Sequence, residues 1–355
     1  GVLCAEMVFR APRGSRARRL EQCGYGAERA QMIAFEDLGC TKDVRAWGDT
    51  LADDLVIGRV TSLDRGYPLV NTAEEELRAE LATDIKKSDD SIVAVGDWVA
   101  LRIPEGHEKA IIAQIMPRRV EIARVKRVGR EKQVRRQVLA ANVDTVFLCQ
   151  SLTGEGLDIR LAARQMTACC GCGARPVFVL TKSDAVADEV RQAAVGELSQ
   201  LASDVEVLCI AAKGGEGVEL VRSHIPADTT ALLLGESGVG KSTLVNALLG
   251  EEHMLTSEVR ESDDRGRHTT VARRICKVPG GGLIIDAPGL RTLQIIDLDE
   301  ALEATFPDIV ELAYSCKFND CSHTHEPGCA VNGNVSPTRL EAFKALASFS
   351  MEGRK

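Results

Sequence analysis

Gly235, Glu236, Ser237, Gly238, Val239, Gly240, Lys241 and Ser242 stand directly after the apolar run Ala231-Leu-Leu-Leu and directly before Thr243-Leu-Val-Asn-Ala-Leu-Leu. Glycines at this spacing let a loop wrap a polyphosphate so that backbone N–H groups and a helix N-terminus face it. Lys241 then reaches the outer phosphates, the Ser242 hydroxyl ligates Mg²⁺, and Thr243 closes the binding stretch. A second acidic turn, Asp286-Ala-Pro-Gly289, follows the apolar Gly-Leu-Ile-Ile 45 residues past Lys241. It puts a carboxylate where it can reach the Mg²⁺ through water and the Gly289 amide where a terminal phosphate can be sensed.

Between these two motifs lies the polar stretch from Asp263 to Thr270, which contains His268, Thr269 and Thr270. A terminal phosphate with its Mg²⁺ can order such a segment, and either Thr269 or Thr270 would complete the metal shell. An ordinary exposed loop is the alternative. Thr181, Lys182, Ser183 and Asp184 end another apolar run, Pro176-Val-Phe-Val-Leu. A carboxylate at Asp184 can accept hydrogen bonds from N1–H and the exocyclic amine of guanine, which adenine does not offer, so it would select GTP over ATP. The small residues of Cys209-Ile-Ala-Ala-Lys213 could close over the base.

Cys316, Cys321, His323 and Cys329 gather three thiols and an imidazole within 14 residues. That set suits one tetrahedral structural zinc, with His325 as an alternative to His323, and four protein ligands leave no open position for catalysis.

These groups need strands and helices to position them. Short apolar alternations from Leu55 to Pro117 predict about five strands and a small barrel, with the oligonucleotide-binding type as first candidate and a plain spacer as the other reading. From Ala141 onward the sequence alternates apolar runs at 141–149, 175–180, 205–210, 230–234 and 282–286 with helical segments at 158–169, 185–202 and 240–250. That rhythm predicts a doubly wound parallel sheet. The chain is helical from Asp299 onward apart from the cysteine cluster. Residues 1–47 are expected to be a disordered N-terminal extension, order setting in near Met32, with an organellar transit peptide as the other reading of Arg10 to Arg19.

The chain has 355 residues, 45% hydrophobic, 27% charged, with a net charge of −8 and 12 cysteines. This excludes a disordered chain and a disulfide-stapled scaffold, and no run is long enough to span a bilayer. A reducing cytoplasm is the expected setting, and a monomer is expected. Net charge alone argues against an anionic partner. Its distribution does not: 118–136 holds nine cations (Arg118, Arg119, Arg124, Lys126, Arg127, Arg130, Lys132, Arg135, Arg136) against Glu121 and Glu131. Such a run is either a solvated face or a phosphate-backbone contact.

Taken together, Val95-Gly-Asp-Trp98, Pro117-Arg-Arg119, Ala141-Asn-Val-Asp-Thr145, Gln150-Ser-Leu, Thr181 to Asp184, Gly235 to Thr243, Gly266 to Thr270, Asp286 to Gly289 and the cysteine cluster resemble one family. It is the circularly permuted bacterial GTPases that act on the small ribosomal subunit, the ribosome-small-subunit-dependent GTPase A family. The resemblance covers roughly residues 48–345. It implies a multidomain chain: an OB-fold barrel at 48–118, a basic linker at 119–140, a circularly permuted P-loop GTPase core at 141–298 and a helical zinc-binding domain at 299–355. It further implies GTP hydrolysis in late subunit maturation, stimulated by the particle, with the subunit and its rRNA as partners. The guanine motif precedes the phosphate loop here, the reverse of the Ras-like order, and Thr181 stands where Asn is frequent.

Leu290 occupies the position where Ras-like sites carry a water-orienting glutamine, so intrinsic hydrolysis is expected to be slow. His268, or a group supplied by the particle, is the candidate for orienting the water, beside Lys241 and Gly289. Two competing readings are a non-catalytic scaffold in which GTP gates RNA binding, and an ATP-dependent phosphotransferase with a zinc module.

Overall fold

Five strands rich in inward-facing valine, alanine and leucine build the first sheet of the fold: β1 (Leu55–Asp64), β2 (Tyr67–Asn71), β3 (Glu76–Leu81), β4 (Trp98–Arg102) and β5 (Ala110–Ile115). In the computed structural model, which describes residues 33–64, 67–86, 93–104, 106–107, 109–128, 133–250, 273–287 and 293–352, they form a closed five-stranded barrel. β1 pairs antiparallel with β2 and β4, β2 with β3, and β4 with β5, while β3 and β5 run parallel. Val60, Val70, Ala79, Val99, Leu101 and Ile112 fill its interior.

Residues 33–47 are not the disordered segment expected. Phe35–Leu38 forms a 3₁₀ turn, and α1 (Lys42–Gly48) starts at Thr41, whose hydroxyl accepts from the Val44 amide. The physical reason is burial: Leu38, Cys40 and Val44 pack with Trp98 of the barrel. Residues 1–32 lie outside the described residues. A short helix, α2 (Thr83–Lys86), follows β3.

The expected basic linker is a β-hairpin, β6 (Glu121–Val128) paired antiparallel with β7 (Gln133–Ala141). Its base is apolar and buried at Ile122, Ala123, Val138, Leu139 and Ala140, which a solvated linker would not be. Gly96 is required at this junction. It has φ +97°, and a Cβ there would lie 2.1 Å from the Ala141 carbonyl oxygen, so any side chain would push barrel and hairpin apart.

A sheet with five parallel strands follows: β8 (Thr145–Ser151), β9 (Arg175–Thr181), β10 (Val207–Cys209), β11 (Thr230–Leu234) and β13 (Leu283–Asp286), with β12 (Arg273–Lys277) antiparallel at one side. The order is β10-β9-β8-β11-β13-β12. Strands buried on both faces read as continuous apolar runs, as these do. Val146, Phe178, Leu232 and Ile285 face α3 (Ile159–Gly171) and α4 (Asp188–Leu201), whereas Phe147, Val179, Leu233 and Ile284 face α5 (Val218–Ser223) and α6 (Lys241–Leu249). Asp158 caps α3 by accepting from the amides of Arg160 and Leu161.

The C-terminal helices α7 (Leu298–Thr305), α8 (Pro307–Ala313) and α9 (Pro337–Glu352) add Leu302, Phe306, Ile309 and Leu340 to the α3/α4 side of this core. At the other edge β12 pairs with β1 through Ser62 opposite Arg274 and Leu63 opposite Arg273. The barrel is thereby continuous with the core sheet. Among the described residues no helix is long and apolar enough to cross a membrane.

Candidate nucleotide site and candidate metal centre

The C-terminal ends of the parallel strands bring the motifs to one edge. Register places Thr181 opposite Ser151, Leu234 opposite Leu148 and Leu232 opposite Ile285, so the loop after β11 lies between the ends of β8 and β13. Ligands in doubly wound sheets bind at this edge. Gly235 takes φ +155°, and a Cβ there would meet the Cys149 carbonyl oxygen at 2.4 Å; the loop clings to β8 because residue 235 has no side chain. Gly240, in the left-handed region, is the N-cap of α6, so Lys241, Ser242 and Thr243 form the helix's first turn. The Lys241 ammonium donates to the carbonyls of Gly235 and Glu236, both at 2.6 Å, and so sits inside the arch of the loop. Beneath it, burial pushes the Cys149 thiol up to about 12 against the attraction of Lys241, which leaves it protonated and inert at neutral pH.

Thr181 ends β9 with its side chain buried, its hydroxyl against the carbonyls of Val239 and Gln150. Val239 belongs to the phosphate loop, 58 residues further along the chain. Thr181 therefore ties the 181–184 turn to the glycine-rich loop after β11. Lys182 adopts φ +57°, Ser183 is buried with its amide donating to Ile210, and Asp184 is exposed beyond the strand end. Ala211 and Glu216 form a bridge that closes the 209–217 loop next to this turn.

Asp286 is the last residue of β13, half-buried and opposite Arg274 of β12. His268, Thr269, Thr270, Gly289 and Leu290 lie outside the described residues.

Away from this edge, Cys316, Cys321, His323 and Cys329 converge, their donor atoms all within 4.8 Å of one another. His323 Nδ1 lies 3.6 Å from the sulfurs of both Cys316 and Cys329. Tetrahedral zinc with S and N bonds of usual length separates such atoms by about 3.6 Å. Backbone amides of Ala330 and Asn332 donate to the sulfurs of Cys316 and Cys329 at 3.3 Å, an arrangement that favours thiolates. His323 belongs to this group of donors, whereas His325 is exposed and outside it.

Three residues hold the site's scaffold: Arg59, which none of the motifs includes, and Asp97 and Arg118, whose pairing the sequence does not show. Arg59, fully buried, bonds the Leu38 and Gly96 carbonyls and the Thr230 hydroxyl at 2.9 Å, joining residue 38, the barrel and the start of β11. Burial lowers its pKa to about 10, opposed by Asp144 and Asp97, so it stays charged. An arginine inside the strand run Ile57-Gly-Arg-Val60 was the available signal. Asp97 and Arg118 form a bidentate pair at 2.7 and 2.8 Å, with side-chain exposures of 0% and 7%. Burial works against the Arg118 charge, and the bonded Asp97 and Glu121 outweigh it, raising its pKa. Arg118 is therefore removed from the cations available to a phosphate backbone. Arg119 pairs with Asp144 and Arg136 with Glu121, both at exposed positions.

The family model described as RsgA GTPase matches residues 115–296. The "Small ribosomal subunit biogenesis GTPase RsgA" of Streptomyces coelicolor is 40% identical over 311 residues, 85% of this chain and 83% of that protein. The crystal structure of YjeQ from Thermotoga maritima aligns with a TM-score of 0.64 at 23% identity, covering 85% of this chain and all of that one. That of YloQ, described as a circularly permuted GTPase, aligns with a TM-score of 0.59 at 20% identity, covering 85% of this chain and 97% of that one.

Proposed function

The chain belongs to the RsgA GTPase family and is a GTP hydrolase, and from that premise we propose that it hydrolyses GTP in late maturation of the small ribosomal subunit, stimulated by the subunit. GTP and GDP bind through residues 235–243, with Asp184 reading the guanine edge and Thr181, Lys182 and Ser183 framing it. The bond from the Thr181 hydroxyl to the phosphate loop carries this reading, because it joins base recognition to phosphate binding through a single side chain.

Lys241 neutralises charge that develops on the outer phosphates. Ser242, Asp286 and Thr269 or Thr270 would hold the Mg²⁺ that binds with GTP, which would there offset negative charge on the phosphates. The Gly289 amide reads the terminal phosphate. His268 or a group from the subunit orients the attacking water, since Leu290 has no polar atom with which to do so. Cys316, Cys321, His323 and Cys329 would hold one structural zinc, supported by the spacing and amide donors described above.

The chain divides into an oligonucleotide-binding barrel at 48–118, the hairpin segment 119–140, the GTPase domain 141–298 and the zinc-binding domain 299–355. The exposed part of the basic hairpin contacts rRNA, and the protein works in the cytoplasm as a monomer. Charge supports the choice of the hairpin: residues 48–118 hold 8 basic and 14 acidic side chains, so the barrel as a whole does not attract phosphate.

The test compares phosphate release from GTP and ATP, each with and without purified small subunits. Expected are preference for GTP and acceleration by the particle, with Asp184→Asn abolishing the preference. Unaccelerated hydrolysis would favour a GTP-gated scaffold, and equal use of ATP a phosphotransferase.

A further inference from the structure

Two exposed aromatic residues, Tyr314 and Phe318, stand two positions before and after Cys316 and take no part in the nucleotide site. Tyr314 is 85% exposed, the most exposed large apolar side chain among the described residues, and Phe318 is 41% exposed. Tyr314 follows α8 with helical backbone angles, φ −62° and ψ −21°, so Glu311 three residues earlier stands on the same face. The turn beyond is firmly held: the Lys317 amide donates to Gly328 and the Cys321 amide to Phe318. Lys317 lies over the Phe318 ring, its ammonium 5.6 Å from the centroid, so one of the two rings already faces a cation.

Charge decides what kind of partner these rings accept. Residues 293–352 hold ten acidic and three basic side chains. Among the described residues of this stretch Lys317 is the only exposed cation, since Arg339 is half-buried on Asp308 and Lys344 is half-buried. Glu311 and Asp320 are exposed and make no ion pair among the described residues. An RNA backbone approaching this face meets unneutralised carboxylates. A guanidinium meets an aromatic face on which it stacks and, one helical turn away, a carboxylate that it can bind in a fork.

We propose that the face formed by Glu311 and Tyr314 docks an arginine-bearing segment of a basic polypeptide. Resting on the functional reading above, the segment belongs to a protein of the small subunit, and this domain holds protein while the basic hairpin holds RNA. Arginine is preferred to lysine because a planar guanidinium can stack and fork at once.

Three probes titrated into the full chain test this: a peptide of alternating arginine and glycine, its lysine counterpart, and an oligouridine. The arginine peptide is expected to bind more tightly than the lysine peptide. Tyr314→Ala and Glu311→Lys should each weaken it about five- to tenfold, Tyr314→Phe should retain it, and oligouridine should not displace it. Affinity unchanged in both variants, or displacement by oligouridine, overturns the proposal. A second arm measures co-sedimentation with small subunits, where Tyr314→Ala and Glu311→Lys should bind several-fold more weakly with basal GTP turnover unchanged. Undiminished binding by both variants overturns the docking claim. If the unsubstituted chain itself does not bind subunits, the functional reading fails, and the peptide arm still decides the surface.

Discussion

Thr181 carries more of the nucleotide site than its small side chain suggests. Its hydroxyl spans from the end of β9 to the phosphate loop, and it is buried where water cannot replace it. A buried acceptor that loses its donor costs about 1–3 kcal/mol, more than the net worth of the bond. Thr181→Val keeps the shape and removes the hydroxyl, so it should lower unfolding stability by about 1–2 kcal/mol and weaken GDP binding about fivefold. Thr181→Ser should leave both close to the original. Chemical denaturation and titration with a fluorescent GDP analogue measure the two effects. The same logic gives Cys149 its role: a thiol that stays protonated can pack under the loop without placing a second charge beside Lys241.

The C-terminal helices depend on one arginine for their attachment. Arg339 of α9 donates to the Leu201 carbonyl at the end of α4 and the Thr305 carbonyl at the end of α7, lies 4.8 Å from the Phe306 ring centroid, and pairs with Asp308 of α8. Hydrogen bonding from Arg339 and its charge hold the Asp308 carboxyl below the usual carboxylate value. The folded pKa is depressed, so the stabilisation is complete well above the unfolded value, near pH 4, and is lost as pH falls through the folded value. Solvent screening of a partly exposed pair limits it to about 0.5–1 kcal/mol. Thermal melts between pH 7 and pH 3 should show Asp308→Asn less stable at pH 7 and converging with the original chain toward pH 3. A difference that stayed constant over that range would contradict the assignment.

Across the whole molecule, charge is sorted by position. The barrel and the C-terminal helices are acidic, and the basic hairpin lies between them in sequence. Within that run the cations are not equivalent. Arg118 is sealed against Asp97, whereas Arg124 is exposed and donates to Gln137 across the hairpin. Arg124→Gln should leave stability unchanged, weaken binding to small subunits, and reduce the slope of log affinity against log salt by about one. Arg118→Gln should instead destabilise the chain by about 3–5 kcal/mol, because Asp97 is left as a buried charge without its counterion. Co-sedimentation at graded salt and denaturant unfolding separate the two outcomes. The β1–β12 pairing adds a mechanical link at this scale, since it makes the barrel an extension of the sheet that carries Asp286.

The glycine-rich loop, the Thr181–Asp184 turn and the cysteine cluster stand out in the sequence because the chemistry proposed for them is local. Glycine spacing around Lys241, a carboxylate three residues past Thr181, and four donors within 14 residues each specify a geometry over one or two turns of chain. The parallel strands were legible for a related reason, as burial on both faces leaves an unbroken apolar run. Strand β3 was not, because Glu76-Leu-Arg-Ala-Glu-Leu81 buries fully only Ala79 and reads as polar. The hairpin reads as a linker because its charge dominates its composition, while the few apolar residues that anchor it find their partners in the barrel and on α3. Availability of charge was likewise beyond local reading: Arg118 and Arg124 look alike in the chain, and Asp97, 21 residues before Arg118, makes the difference. Residue type and spacing determine which ligands this protein can hold, since those interactions span a few residues. Which cations remain free to meet a partner is decided by tertiary structure, because burial and pairing depend on segments distant in the chain.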